Sequence, residues 1–300
     1  MAKFFNILAK ALKLICAAVF LFLVVFGVGR ECERKIFDKI VGSSNDNERI
    51  EVTFIDVNQA DCALLSFSDK WVLIDSGGYM SGKLLDRHFR KLGIECFDAV
   101  FITHPDADHY GGMVYLKDKY KVNSFYQPDI DLSEVGEDYL DIVNSLEENG
   151  AEVNYLVSGD ELKIDGVRFF VLGPVYLSEE TNDMSLVMKV TCGGFSSLFC
   201  GDMSEDEIDD ILSEHSGEIK SDLIKIAHHG SATGTTEELL DEVSPKYAVI
   251  SVGENTYNLP NYKVTELLSQ YDLEVLTTKD CGNIKISYNG KYEIQTERKK

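Results

Sequence analysis

The chain has 300 residues, of which 44% are hydrophobic and 27% are charged, and its formal net charge is −22. This length suits one large domain or two small ones with a substantial hydrophobic core. Because lysine and arginine contacts to phosphates supply most of the affinity for long nucleic acids, the acidity of this chain argues against a broad basic nucleic-acid-binding surface.

The amino-terminal segment differs in composition from the rest of the chain. An unbroken apolar run of 15 residues extends from Leu14 to Val28, with lysines before it. This length lies between the core of a signal peptide and a span of about 20 residues, so residues 1–29 are predicted to be a cleaved signal peptide or a single transmembrane anchor. Residues 30–49 are predicted to be a linker. The domain that follows, residues 50–298, is then expected outside the cytoplasm, either membrane-anchored or secreted.

From Ile50 onward, short apolar runs alternate with turns and amphipathic segments. Helical spacing predicts helices over 81–92, 113–119, 133–149 and 204–215, the last with Ser204 as N-cap and Glu207 three residues later. The apolar segments in chain order are IEVTFIDV, CALLSF, WVLIDS, FDAVFIT, VNSFYQP, AEVNYLV, ELKIDG, VRFFVLGP, MSLVMKVTC, FSSLFCGD, DLIKIAHHG, YAVISVG, LEVLTTKD and GNIKISYNG. Strand pairs mixed with strand–helix alternation predict one layered α/β domain with helices outside.

The stretch THPDADH concentrates metal-binding side chains directly after a buried strand. It holds His104, Asp106, Asp108 and His109, and a glycine pair follows. A spacing of two residues brings the first two side chains to one side of the loop, while the other two turn toward a second point nearby. Since one ion needs only three or four protein ligands, the pattern predicts two metal ions. An ordinary surface loop is the alternative.

Other predicted strands end in the same way. One stops at Asp75, one at Asp202 and one at the pair His228–His229. A single aspartate at such a place is usually a turn former. Several such ends in one chain instead match the rule that ligands of α/β proteins gather at the carboxyl ends of strands.

The segment HHGSATGT follows the last of these strands. Its small hydroxyl residues, Ser231 and Thr233, and its backbone N–H groups would suit an anionic oxygen such as that of a phosphate. The alternative is a polar helix start with Thr235 as N-cap.

This constellation resembles the metallo-β-lactamase fold superfamily, and within it the hydrolase domain of the ComEC/Rec2 competence proteins and their free-standing relatives. The motifs VTFIDVNQADCALLSF, WVLIDSGG, THPDADHYGG, NDMSLVMKV, LFCGD and IKIAHHGS occur in the family's order. The resemblance covers residues 50–290. It implies a four-layer αββα sandwich, preceded here by the amino-terminal apolar helix, with the metals at one edge.

The resemblance also implies a role for each candidate residue. His104 and Asp106 would hold one ion, Asp108 and His109 the other, and Asp202 would bridge them. Either His228 or His229 would complete the second ion and the other would face the substrate; the assignment adopted here gives His228 to the metal and His229, with Asp108, to catalysis. The remaining predicted roles are ordering of the loop by Asp75 and substrate binding by Asn182, Ser185, Ser231 and Thr233.

Two positions depart from the common superfamily pattern. Asp106 replaces a histidine, as in the competence branch, and the histidine expected before Asp202 is missing from TNDMSLV. The resulting site is rich in oxygen ligands. Zinc is the default expectation and manganese the alternative.

The expected reaction is hydrolysis by a metal-bound hydroxide, most simply of a phosphodiester or a nucleic-acid-like substrate. The alternatives are a non-nucleolytic hydrolase (lactonase, thioesterase or β-lactamase type) and a binding protein with a decayed site. The amino-terminal segment predicts a membrane as partner, and no protein partner is inferred.

Overall fold

Fifteen strands and eight α-helices make up the part of the chain that the computed structural model describes, residues 49–133, 135–178 and 180–298. The strands are β1 (Ile50–Phe54), β2 (Ala63–Phe67), β3 (Lys70–Ile74), β4 (Cys96–Phe101), β5 (Lys121–Pro128), β6 (Glu152–Leu156), β7 (Glu161–Ile164), β8 (Val167–Gly173), β9 (Val187–Cys192), β10 (Phe195–Phe199), β11 (Leu223–Lys225), β12 (Tyr247–Ile250), β13 (Glu274–Thr277), β14 (Ile284–Tyr288) and β15 (Tyr292–Thr296). The helices are α1 (Gly82–Leu92), α2 (Ala107–Tyr110), α3 (Met113–Leu116), α4 (Glu137–Glu148), α5 (Glu205–His215), α6 (Glu237–Val243), α7 (Tyr262–Leu268) and α8 (Thr278–Cys281).

The strands form two mixed sheets. The first has the order β15-β14-β1-β2-β3-β4-β5-β6, and the second has the order β13-β12-β11-β10-β9-β8-β7. Strands β3 to β6 run parallel in the first sheet, and β10 to β13 run parallel in the second. The carboxyl ends of parallel neighbours lie at one edge of a sheet, where α/β proteins place their ligands.

Three apolar cores show that the layers are helix, sheet, sheet and helix. One core lies between the two sheets and includes Phe101 from β4 and Phe169 from β8. The other two lie between a sheet and its outer helices, with Phe89 of α1 in one and Ile208 of α5 in the other. Side chains alternate along β4, so that one strand serves two cores. The predicted two-sheet α/β sandwich is therefore confirmed.

Some local predictions were wrong. The helix predicted over 113–119 is the single turn α3, and the preceding turn α2 was not predicted. Thr236, not Thr235, caps α6, because its hydroxyl accepts from the N–H of Leu239. The Glu207 carboxylate accepts from Val175 N–H at 3.0 Å, so it does not complete a capping box with Ser204.

The predicted amino-terminal signal or anchor and nearly all of the predicted linker lie outside the described residues. Within the described ranges, no helix has the length and apolar character needed to cross a membrane.

Candidate metal centre

The loops that leave four strands bring the predicted ligands together. Asp75 follows β3, the THPDADH loop follows β4, Asp202 follows β10, and the histidine pair follows β11. The side chains meet because these strands end at the same edge of the sandwich. Four ligand atoms, one from each residue, lie within 4.8 Å of one another; these residues are Asp108, His109, Asp202 and His229.

Asp75 fixes the orientation of His109. Its backbone is left-handed, with φ of 56°, a conformation that aspartate tolerates better than most residues. One carboxylate oxygen accepts from the Thr103 N–H at 2.8 Å, and the other lies 2.9 Å from His109 Nδ1. A carboxylate on Nδ1 keeps the proton there and points the Nε2 lone pair away from it. His109 Nε2 then lies 3.3 Å from Asp202 Oδ1.

His229 is oriented from behind in a similar way. Its Nδ1 lies 2.8 Å from the carbonyl oxygen of Ser251, at the end of β12, and donates to it. Its Nε2 is therefore free to face the centre, 3.2 Å from Asp108 Oδ2 and 3.7 Å from Asp202 Oδ2. The side chain of His229 is buried, with 2% exposed.

His228 lies nearer the solvent. Its side chain is 31% exposed, and its Nε2 is 3.7 Å from Asp202 Oδ2. Both His228 and His229 have a left-handed backbone, with φ of 47° and 54°. This conformation costs roughly 1–2 kcal/mol for each non-glycine residue. Strain of this kind persists where the surrounding structure imposes it, often at functional sites, and here it turns two adjacent rings toward Asp202.

His104 and Asp106 form the other side of the centre. His104 is fully buried, and its Nε2 lies 3.7 Å from Asp106 Oδ2. Its Nδ1 is 3.2 Å from the Thr103 hydroxyl and 3.3 Å from the Ser185 hydroxyl. Ser185 also accepts from the Asp202 N–H at 3.0 Å. Ser185 is buried and engaged with two candidate ligands, which suits positioning; its predicted contact with substrate stays a prediction.

The other predicted substrate residues surround this centre. Asn182 Nδ2 lies 3.5 Å from His228 Nδ1. Ser231 and Thr233 are linked by a 3.2 Å contact between their hydroxyls, and Thr233 is exposed.

The glycine pair Gly111–Gly112 is required by packing. Both residues have ordinary helical dihedral angles, so their backbone conformation does not itself require glycine. A Cβ at Gly112 would lie 2.1 Å from the Ser76 carbonyl oxygen. The glycines allow the metal-binding loop to lie against the loop that carries Asp75.

The donor atoms suit metal ions. Three buried atoms, His104 Nε2, His109 Nε2 and Asp202 Oδ1, form no hydrogen bond in the described part of the chain, although the last two lie 3.3 Å apart. An unsatisfied buried polar group costs about 1–3 kcal/mol, so three of them converging on one site require an explanation. Imidazole nitrogen and carboxylate oxygen are the ligands of zinc and of similar divalent cations, which would supply the missing partners.

Without bound metal, the centre holds protons in place of cations. Burial lowers the pKa of His229, but the carboxylates of Asp202 and Asp61 outweigh burial and raise the pKa to about 10. Burial also lowers the pKa of His109, and Asp202 and Asp75 raise it well above its usual range. Burial raises the pKa of Asp202, yet the two imidazoles hold it well below the ordinary value.

These shifts predict how the stability of metal-free protein depends on pH. A folded-state pKa of about 10 for His229 exceeds the ordinary value of 6.5, so the folded protein binds more protons between these values. Stability of the metal-free protein should therefore fall as pH rises from about 6.5 toward 10. The melting temperature in chelator measures this fall. His229→Gln should flatten it, and a melting temperature that rises with pH across this window would contradict the prediction.

The comparisons with known proteins agree with the fold. The profile of the metallo-beta-lactamase superfamily matches residues 55–254. ComE operon protein 3 of Bacillus subtilis is 31% identical over 261 residues, covering 80% of this chain and 33% of that protein. Recombination protein 2 of Haemophilus influenzae is 28% identical over 258 residues, covering 83% of this chain and 30% of that protein. The chain thus spans about a third of the length of these curated relatives.

A solved structure shows the same fold. The metallo-beta-lactamase fold protein YhfI of Bacillus subtilis superposes with a TM-score of 0.55 at 14% sequence identity, covering 80% of this chain and 100% of that one. At this identity the likeness supports the fold alone. The predicted resemblance to this superfamily and to its ComEC-type competence proteins is confirmed, and the match over 55–254 shows that the chain belongs to the metallo-beta-lactamase superfamily.

Proposed function

We propose that this protein is a metal-dependent phosphodiesterase with two divalent cations at the centre described above. Members of the superfamily are generally metallo-hydrolases. The observation that carries the proposal is the convergence of buried, unpartnered imidazole and carboxylate atoms, within the described residues, on one partly open site.

The charge of the site favours two cations over one. Five carboxylates lie in or against it, and one buried ammonium, that of Lys225, accompanies them. Four negative charges remain, which two divalent cations would neutralise. Removing so many charges from water without compensation would be very costly. The five carboxylates are those of Asp61, Asp75, Asp106, Asp108 and Asp202.

The geometry favours a specific distribution of ligands. Asp108, His109, Asp202 and His229 would hold one cation, because their ligand atoms already lie together. His104 and Asp106 would hold the other, with Asp202 between the two. This assignment gives His229 to the metal and leaves the half-exposed His228 to face the substrate, the reverse of the adopted sequence-based assignment.

Two cations so placed would activate a water for attack and stabilise negative charge on phosphoryl oxygens. The chain's own groups would do the remaining work. Asp108 is 40% exposed, so its carboxylate can accept a hydrogen bond from the attacking water. Burial raises its pKa, but the contact with His229 and the charge of His109 lower it below the ordinary value. Such a carboxylate stays ionised at neutral pH, so it can orient the water and accept its proton during the attack.

The exposed rim is suited to binding an anionic oxygen. His228 at 31% exposure and the hydroxyls of Ser231 and Thr233 lie beyond the buried ligands. Small hydrogen-bond donors of this kind suit a phosphate oxygen. The net charge of −22 opposes long polyanions, so a nucleotide, a short oligonucleotide or an envelope phosphodiester fits better than long DNA. An extracytoplasmic, membrane-linked location is part of the proposal, through the predicted amino-terminal segment.

The substrate class is tested by measuring how fast the full-length protein hydrolyses different substrates. With Zn²⁺ or Mn²⁺ bound, bis(p-nitrophenyl) phosphate should be hydrolysed slowly, and chelator should remove the activity. Nitrocefin and lactones should be hydrolysed more slowly, since two metals stabilise both ends of an in-line phosphoryl displacement. Faster turnover of nitrocefin or of a lactone would reject the phosphodiesterase and favour the non-nucleolytic hydrolase.

A protein that binds no metal at all would leave the decayed binding protein as the remaining hypothesis. Elemental analysis of the purified chain, before and after incubation with Zn²⁺ or Mn²⁺, makes that distinction.

A further inference from the structure

A buried ion pair lies beneath the proposed centre and is not part of its ligand set. Lys225 is the last residue of β11, and Asp61 lies in the loop between β1 and β2. The Lys225 ammonium contacts an Asp61 carboxylate oxygen, and the two side chains are only 5% and 6% exposed. A charge pair buried this deeply adds little net stability compared with apolar side chains of the same volume, so its presence calls for another reason.

Asp61 reaches one of the proposed ligands from behind. Its Oδ1 lies 3.5 Å from Nδ1 of His229 and has no hydrogen-bond partner within the described residues. The Ser251 carbonyl oxygen accepts from the same Nδ1 at 2.8 Å. Two oxygen atoms therefore face Nδ1, which directs Nε2 toward Asp108 and Asp202.

The backbone of Asp61 is fixed to the loops that carry other candidate residues. Its N–H donates to the Asp108 carbonyl oxygen at 3.2 Å, and its carbonyl oxygen accepts from Gly77 N–H at 2.7 Å. Gly77 lies two residues after Asp75. A change in the position of Asp61 would therefore shift the loops that carry Asp108 and Asp75.

Lys225 is almost completely buried at this position, with 5% of its side chain exposed. It lines a cavity of about 10 Å³, just large enough for one water molecule, together with Asp61, Asp75 and Thr103. Burial lowers its pKa, but Asp61 and Asp202 outweigh burial, so the side chain stays an ammonium. If Asp61 were neutral, the Lys225 ammonium would still be attracted by the carboxylate of Asp202.

We infer that Asp61 and Lys225 form a positioning pair for the metal centre: Asp61 holds the ring of His229 and keeps the Lys225 ammonium from pairing with Asp202. The inference rests on the proposed metal centre and not on the proposed substrate. It predicts that the loss of Asp61 and the loss of Lys225 affect metal binding differently. Loss of Asp61 frees a cation to compete with the metals, whereas loss of Lys225 removes that cation and leaves Asp61 against His229.

The test is a metal titration of the full chain against a chromophoric chelator, with Zn²⁺ as the probe. Asp61→Asn should weaken the binding of at least one ion by about 10–100-fold, the usual effect of losing a group that orients a ligand. Lys225→Met breaks the same pair and should bind both ions at least as tightly as the wild type. Asp98→Asn, which breaks the half-buried Lys70–Asp98 pair away from the centre, is the matched control and should change neither affinity.

Each outcome decides the inference. Equal losses in Asp61→Asn and Lys225→Met would show a merely structural pair and overturn it, as would wild-type affinity in Asp61→Asn. If Asp61→Asn does not fold, the double variant Asp61→Asn with Lys225→Met replaces it. Its Zn²⁺ affinity should be lower than that of Lys225→Met alone. Equal affinities would show that Asp61 does not position His229. A wild-type chain that binds no Zn²⁺ would instead refute the proposed metal centre.

Discussion

If the proposed two-metal centre is correct, Asp202→Ala should release both ions and lower metal-dependent turnover by about 10⁴-fold, since the cations would supply several kcal/mol of charge stabilisation. The two carboxylate oxygens face different partners. Oδ1 lies 3.3 Å from Nε2 of His109, and Oδ2 lies 3.7 Å from Nε2 of both His228 and His229. One side chain therefore contacts ligands on several loops, and its removal damages both halves of the centre.

Burial makes the loss of Asp202 difficult to repair. The side chain is only 4% exposed, so bulk solvent cannot easily replace its oxygen atoms. The imidazoles of His109 and His229 would also lose the carboxylate that lies between them. The measurements are the metal content per chain and turnover of bis(p-nitrophenyl) phosphate, with folding checked by circular dichroism.

His228→Ala is the matched control for Asp202→Ala. His228 contacts the same carboxylate but is 31% exposed and, in the proposed assignment, faces the substrate. This variant should keep two ions per chain. Its KM should be higher than that of the wild type. Two ions per chain in Asp202→Ala would show that Asp202 does not bridge them. Loss of an ion in His228→Ala would return His228 to the ligand set, as the sequence-based assignment had it.

Much of the site could be predicted from the sequence because its residues follow recognisable strands. Asp75, His104 and Asp202 each come directly or almost directly after an apolar run, and all three lie at one edge of the sandwich. The rule that ligands gather at the carboxyl ends of strands places them together without knowledge of the sheet order. The two-sheet architecture followed from the same alternation of strands and helices, together with the family resemblance.

The positioning pair could not be predicted in this way. Asp61 lies in the turn-like tetrapeptide NQAD, residues 58–61. Aspartate is common in turns because its side chain hydrogen-bonds to the neighbouring backbone. Lys225 gave the better signal, since a lysine within the apolar run LIKIA is unusual for a buried strand. The sequence does not show which carboxylate meets it, because β1 and β11 belong to different sheets and only the packing of the sandwich joins their ends.

Packing also decided several smaller features. Gly112 is needed because Ser76 lies where a Cβ would be, a contact between two loops that no local pattern reveals. Glu207 was expected to cap its own helix, but the close approach of Gly173 to α5 gives it the Val175 N–H as a partner. In both cases a contact between distant segments replaced the locally expected one.

Asp108→Asn should lower turnover by about 10²–10⁴-fold, the range found when a group that handles a proton in the transition state is lost. The amide keeps the shape of the side chain but is neutral and donates where the carboxylate accepts. The Asp108 carboxylate is ionised at neutral pH and lies 3.2 Å from Nε2 of His229. In the proposed assignment, the substitution therefore weakens a ligand of one ion and removes the acceptor for the attacking water.

Asp106→Asn separates these two effects. Asp106 and Asp108 are equally accessible, at 39% and 40%, and both carboxylates lie beside a candidate histidine ligand. In the proposed assignment Asp106 only binds metal, so excess Zn²⁺ or Mn²⁺ should restore most of the turnover of Asp106→Asn. Excess metal should restore the metal content of Asp108→Asn but not its turnover, because the water-orienting oxygen is still missing. Recovery of wild-type turnover by Asp108→Asn in excess metal would limit Asp108 to metal binding and leave the orientation of the water to another group, such as the 31% exposed His228.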